Sequence, residues 1–475
     1  MIKKISYFLI SILFIILLSF VFAEIFLQTI PIVYRNIPLS KDKVYIYIIG
    51  ESSSYGEPYD RKISYYKILN FMIGGKIDNK DIEFIELSTP GNSIIDQYFY
   101  YLRYKFTHPL QRGLAFVYAG KNDWDNEENK KYVKVYKIKT FRLLKDYFFE
   151  PHNFKYSYES LILALKDFGE DIFVATIEGN YAGFMPHLNA ENILYREEFD
   201  KIDDEILINK NYKKAEEMLK FLEEKEDSDK SWIYYRYGKI AEFTGKIKDA
   251  NDYFIKGTSL YYNLIPSKYQ IDCIKELAKK YNIELVDIFD KIYNSGEIIG
   301  FNFYKDNQHP DIKLYIKIAE LFTEVLKNKY GNRINILRNN LTKEYVYKYF
   351  DFNDFDIYNV YRHSLDVTLA FSKEKENTNR YVFKQVDEYL NKIIELNPHK
   401  GEHKQAIISF YSMMVEALKG NKDKMIEIYN KNKDIIQKNK YDIHARYSEW
   451  AKYNQWVSYY LGVEEFFDLK SEAGF

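Results

Sequence analysis

Three side chains, Ser52, Asp306 and His309, are the residues of this 475-residue chain whose types could together perform nucleophilic acyl chemistry. A serine hydroxyl is a poor nucleophile near neutral pH and needs a base such as an imidazole within hydrogen-bond reach. His309 is the candidate base. Asp306 stands three residues before it, about one turn away, and can accept from the other ring nitrogen. A carboxylate in that place holds the imidazole tautomer and stabilises the imidazolium that forms during proton transfer.

The elements that must position these residues are legible as apolar runs. Val44 to Ile49 reads as a buried strand, which ends abruptly in Gly50-Glu51-Ser52 and is followed by Gly56 and Pro58. A strand that carries a serine to its carboxyl end is the layout expected of an exposed nucleophile in an open α/β sheet. Further strands are predicted at Ile82 to Leu87, Leu114 to Tyr118, Asp171 to Ile177 and Ile283 to Ile288. Helical spacing of apolar residues covers Ser64 to Met72 and Ile94 to Tyr104, and a last helix is predicted through Ile312 to Leu326, with Pro310 in its first turn. Strands that alternate with helices imply parallel strands joined by right-handed crossovers, hence a doubly wound, mostly parallel α/β sheet with helices on both faces. Ser52, Gly91 and Asn122 then fall just past the carboxyl ends of the first three strands, and Asp306 and His309 lie in the loop after the last. All five share the sheet edge where open α/β folds place their ligands.

Four short blocks in this order carry a resemblance. Gly50-Glu51-Ser52, the stretch Ser88-Thr89-Pro90-Gly91-Asn92-Ser93, Gly120-Lys121-Asn122-Asp123 and Asp306-Asn307-Gln308-His309 resemble the four blocks of the SGNH, or GDSL-like, hydrolases. Glu51 stands where that family usually has aspartate. Each block also has an ordinary structural reading: Pro90-Gly91 makes a good turn, Asn122-Asp123 a helix cap, and His309-Pro310 an entry into a helix. The resemblance spans about Val44 to Lys329 and implies a serine nucleophile at Ser52 with Asp306 and His309 as its acid and base. It also implies an oxyanion hole built from the N–H groups of Ser52 and Gly91 and the side-chain amide of Asn122. Glu51 is expected to support the site rather than react. The Gly56 to Tyr59 stretch, the Glu178-Gly179-Asn180 turn and a helical insert look similar to an envelope-anchored subgroup with tetratricopeptide-like segments.

Other chemistries find no matching pattern. The remaining histidines, His108, His152, His187, His363, His399, His403 and His444, form no His-Glu-x-x-His pair, and the lone Cys273 cannot build a thiolate cluster, so no metal site is expected. The chain has neither a Walker-type loop nor Gly-x-Gly-x-x-Gly, so no nucleotide cofactor is expected, and it lacks the Gly-x-Ser-x-Gly elbow of the other large α/β esterase class. With 68 basic against 69 acidic residues, the net charge of -1 gives no field to gather nucleic acid.

A chain of this length is expected to hold several units. Residues 1–30 read as a transmembrane anchor: Lys3 and Lys4 precede an apolar run from Ile5 to Ala23, and apolar character resumes after Glu24. The positive-inside rule puts those lysines in the cytoplasm and the body of the chain outside it, as a single-pass protein of the cytoplasmic membrane. Residues 40–330 read as the α/β domain, with a helical insertion at about 201–262. Within that insertion Ala215 and Leu219 lie 35 residues before Ala250 and Phe254, a period that suits stacked helical hairpins. Residues 331–475 read as amphipathic helices: Arg380 to Leu396, Glu402 to Leu418, Lys422 to Lys438 and His444 to Leu461. The expected function is an esterase acting on ester-linked acyl groups of envelope glycan or lipid. Acyl transfer with the same residues is the alternative, and a non-catalytic helical-repeat scaffold or glycan-binding protein is the competing class. Any protein partner is expected on the insertion or the C-terminal helices, and nothing in the C-terminal helices looks chemical.

Overall fold

The structure, a computed structural model, describes residues 2–36, 40, 42–108, 111–123, 153–186, 195–260, 265–374 and 377–439. The predicted helix His444 to Leu461, and the residues His152, His187 and His444, lie outside the described residues.

Six strands form one sheet: β1 (Lys43–Gly50), β2 (Lys76–Ile77), β3 (Lys80–Glu86), β4 (Gly113–Tyr118), β5 (Asp171–Ala175) and β6 (Glu284–Val286), in the order β2-β3-β1-β4-β5-β6. β1 pairs in parallel with β3 and β4, β4 with β5, and β5 with β6. Only β2 is antiparallel, forming a two-residue hairpin with β3 around Asp78 and Asn79, whose positive φ angles of 55° and 63° suit that turn. Such a short edge strand has no periodicity to read, and the sequence does not reveal it. The protein is therefore a doubly wound α/β fold whose parallel strands run second, first, third, fourth, fifth, and the chain reverses direction across the sheet between β1 and β4.

The two faces follow from side-chain alternation along β1. Tyr47 points to the face covered by the helix Ile94–Thr107, where it meets Tyr101 and Tyr104 edge to face. Its neighbour Ile48 is in register with Phe116 of β4, and Phe116 packs on Phe322 of the helix Ile312–Tyr330. Phe322 also stacks on Tyr65 of the helix Tyr65–Met72, so the helix after β1 and the helix that follows β6 together cover that second face. Strand residues 46–49 are fully buried, as expected of a central parallel strand with helices on both sides.

Several predicted boundaries shift for local reasons. β6 stops at Val286 because the Asp287 side chain caps the short helix Ile288–Tyr293. The last helix of the unit starts at Ile312, capped by Asp311, so Pro310 stands ahead of the cap and not in the first turn; its backbone bridges to Tyr304 instead. The helix after β3 opens with a capping box between Ser93 and Asp96.

Between β5 and β6 the helices Arg196–Leu207, Tyr212–Glu223, Lys230–Phe243 and Ile247–Ser259 pack around a core that includes Phe199, Ala215, Leu219 and Trp232, and the helix Lys268–Tyr281 then leads into β6. A side chain at Gly238 would reach to 2.6 Å from the Phe254 ring, which explains the small residue at that helix crossing. Beyond Tyr330 the helices Asp354–Ser372, Phe383–Leu396, Gly401–Leu418 and Lys422–Lys438 share a second core around Tyr358, Tyr389, Phe410 and Met414. At the amino terminus, Ile2–Asn36 is a single helix, and its stretch Ser11–Thr29 is long and apolar enough to cross a membrane.

Candidate active site

β1 ends in Gly50, and Ser52 begins a one-turn helix, Ser52–Tyr55, at the carboxyl edge of the sheet. The turn is tight: a Cβ on Gly50 would lie 2.2 Å from Ser54 Oγ and 2.3 Å from the Tyr118 carbonyl oxygen, so glycine is required there. Ser54 Oγ donates to that same Tyr118 oxygen at 2.8 Å, and Ser53 Oγ donates to the Gln308 carbonyl at 3.3 Å. The serine run therefore fastens the end of β1 to the end of β4 and to the loop after β6.

Across 257 positions of sequence the structure joins Ser52 to His309. His309 Nε2 lies 2.8 Å from Ser52 Oγ, and its Nδ1 lies 2.7 Å from Asp306 Oδ2. With Nδ1–H donating to the carboxylate, Nε2 is free to accept the serine proton. The other Asp306 oxygen, Oδ1, accepts the backbone N–H groups of His309 at 2.8 Å and Gln308 at 3.0 Å, so the carboxylate organises its own loop. Burial by itself would raise the Asp306 carboxyl. The positive charges of His309 and His363 and the hydrogen bonds from His309 outweigh it and hold the group at about 2.

The other two blocks approach the same edge. After β3 the loop is tied to the end of β1 by the Thr89 N–H donating to the Gly50 carbonyl at 3.1 Å. Gly91 adopts φ of 79° with open space where a side chain would stand. Asn122 Nδ2 donates to the Asn92 carbonyl at 3.1 Å, and Gln308 Nε2 is 3.5 Å from Asn122 Oδ1. Asn122 thus bridges the loops after β3 and β6. Of the Asn122-Asp123 pair, Asp123 meets a helix start: its carboxylate takes the Ile94 N–H at 2.9 Å, at the beginning of Ile94–Thr107.

Glu51 and the Glu178-Gly179-Asn180 turn, both marked in the sequence, and Lys121, to which the sequence assigns no role, bond to these loops. The buried Glu51 carboxylate accepts the Gly120 N–H at 2.6 Å and the Lys121 N–H at 3.3 Å, and burial pushes its carboxyl up to about 7 despite those bonds. Lys121 Nζ is buried in an ion pair with Glu178 at 3.1 Å, and it also donates to the Tyr118 hydroxyl at 2.7 Å and the Gln308 carbonyl at 3.3 Å. Asn180 donates from Nδ2 to the Asp306 carbonyl at 2.8 Å, and its N–H meets the Asn307 carbonyl at 3.0 Å. The Glu178-Gly179-Asn180 turn is therefore the floor under the Asp306–His309 loop. From the C-terminal helices, His363 stands beside the His309 ring and Tyr389 donates its hydroxyl to the Lys305 carbonyl. No sequence pattern marks either residue; through them the C-terminal helices reach the Asp306–His309 loop.

Asp306, His309 and His363 come close enough together to resemble a three-donor metal set. Both ring nitrogens of His309 already lie within hydrogen-bond distance of protein groups, Nδ1 of Asp306 and Nε2 of Ser52.

Fold and site together define a class: an open α/β protein with a serine–histidine–aspartate chain at the point where its strand order reverses. No family model matches the sequence, and no curated protein matches it. Among solved structures, the crystal structure of the lipase/acylhydrolase from Enterococcus faecalis aligns with 62% of this chain and 100% of that chain, at 12% sequence identity and a TM-score of 0.29. The fold assignment here stands on the strand order and pairing themselves.

Proposed function

We propose that this protein is a membrane-anchored SGNH-type serine esterase acting on ester-linked acyl groups of cell-envelope glycan or lipid. The observation that carries the reading is the unbroken chain Ser52 Oγ, His309 Nε2, His309 Nδ1, Asp306 Oδ2, with links of 2.8 Å and 2.7 Å. Ser52 attacks the ester carbonyl as His309 takes its proton. The tetrahedral oxyanion is met by the N–H groups of Ser52 and Gly91 and by the Asn122 amide. His309 then protonates the departing alcohol, leaving an acyl-serine that water resolves, or a second hydroxyl when the outcome is transfer. Asp306 supports the imidazolium without itself becoming protonated. The N-terminal helix supports an anchored body on the outer side of the cytoplasmic membrane, next to acylated envelope polymers.

A fluorophosphonate probe tests the chemistry. The full-length chain is expected to be labelled, with labelling lost in Ser52→Ala and in His309→Ala. A folded parent protein that takes no label would exclude a serine hydrolase and leave the scaffold reading.

A further inference from the structure

The helix Asp354–Ser372 brings a second imidazole to the carboxylate that holds His309. His363 Nε2 lies 3.9 Å from Asp306 Oδ2, the same oxygen that takes the His309 Nδ1–H, while His363 Nδ1 lies 3.9 Å from Glu57 Oε2. The rings of His309 and His363 are 5.4 Å apart between centroids at an interplanar angle of 68°. The His363 side chain is only 11% exposed, so bulk water and salt screen its charge poorly. Two imidazoles thus face one carboxylate oxygen, His309 within hydrogen-bond distance and His363 just beyond it, and His309 alone of the two also meets the serine.

The surroundings keep this arrangement in place. Tyr389, on the helix Phe383–Leu396, ties the C-terminal helices to Lys305, next to Asp306 in sequence. Lys62 reaches Asp356, on the same helix as His363, at 2.6 Å. Among the titratable groups set against His363 are Glu57 and Asp306, each at 3.9 Å, and the His309 ring; next to that loop Lys305 pairs with Asp311 and accepts the Tyr389 hydroxyl at its carbonyl, and Arg362, beside His363 on the same helix, lies against Tyr358 and Tyr411.

We propose that His363 is a positioning residue of the acyl-transfer site, acting through Asp306: when neutral it leaves that carboxylate to His309, and when protonated it draws on the same oxygen and opposes the His309 imidazolium. The inference rests on the reading of Ser52 as an acyl nucleophile. As the serine oxygen bonds to the acyl carbon, its proton moves to His309 Nε2 and the ring becomes a cation. A second cation one ring away disfavours that state, whereas a neutral His363 does not. Full activity then requires two protons to be absent, one from each histidine.

The test is the pH dependence of kcat/KM for p-nitrophenyl acetate, using the full-length chain. The parent is expected to lose activity on the acid side with a slope approaching two. In His363→Gln the slope falls to one, and the variant keeps about tenfold more of its plateau activity at the foot of the limb. An unchanged slope and midpoint in folded His363→Gln, or in His363→Asn should the first variant fail to fold, would overturn the proposal. Imidazole 15N NMR of the unsubstituted protein supplies a readout independent of turnover. Mutually dependent, biphasic titration of His309 and His363 is expected, and two independent single-step titrations would refute the coupling. Coupled titration without esterase activity would instead sink the esterase reading and leave the histidine pair standing, so the two failures are distinguishable.

Discussion

The carboxylate of Glu51, the residue immediately before Ser52, accepts the backbone N–H of Gly120 at 2.6 Å, linking the end of β1 to the loop that presents Asn122. This contact explains why a buried acid precedes the serine. Its carboxyl is raised by burial from 4.5 to about 7, so in the folded protein it holds a proton that the unfolded chain has already released. For an acid shifted upward, the folded state binds more protons than the unfolded state, and stability falls as pH rises from 4.5 to about 7. Glu51→Gln, which cannot ionise, is expected to flatten that decline, read as a smaller drop in Tm of the full-length protein across the window. An identical pH dependence in the variant would show that another group governs it.

Asp306 shifts the opposite way. Held at about 2 against an ordinary 3.8, it contributes stability that is complete above 3.8 and is lost as pH falls through about 2, worth on the order of 2 kcal/mol. It therefore stays ionised wherever His309 is neutral and active. Asp306→Asn is expected to reduce ester turnover by roughly 10⁴-fold while the protein remains folded, because an amide favours the wrong imidazole tautomer. Turnover within tenfold of the parent would exclude Asp306 from the relay.

Asn122 has a structural bond to Asn92 in addition to its proposed role toward the oxyanion. Asn122→Ala is expected to lower kcat by roughly 10²- to 10³-fold, about 3 to 4 kcal/mol of transition-state stabilisation, with substrate affinity much less affected. The measurement is steady-state kinetics with a small aryl ester, alongside circular dichroism of the variant. A variant as fast as the parent would remove Asn122 from the oxyanion hole.

Lys121 and Glu178 form an ion pair in which neither side chain is more than 2% exposed. Deleting one partner leaves the other charge buried and unpaired, so Lys121→Met is expected to cost roughly 3–5 kcal/mol in denaturant unfolding. Adding Glu178→Leu should recover most of that loss. A single variant as stable as the parent would show that Glu178 finds another partner.

Much of the fold is readable along the chain because its causes are local. Apolar runs of strand length, punctuated by Gly50, Pro90-Gly91 and Gly120, mark where β1, β3 and β4 end, and parallel pairing sends those ends to one edge. Ser52, Gly91 and Asn122 could be singled out for the same reason, each standing in a turn after a recognisable strand, whereas Asp306 and His309 stood out by their residue types and spacing, with the helix Ile288–Tyr293 between them and β6. The two-residue β2 and the short β6 left weaker marks, since two or three residues carry little periodicity.

The order of strands and helices, and the residue types waiting at the strand ends, follow from the chain alone. That His309 meets Ser52 across 257 positions, that Glu51 reaches Gly120, and that a helix from the C-terminal region sets His363 against Asp306 emerges only once the chain is packed. The reason is one of range. Propensity and periodicity act over a few residues, whereas these contacts depend on which strands become neighbours and how far a packed helix can bring a side chain, and the buried core as a whole determines both.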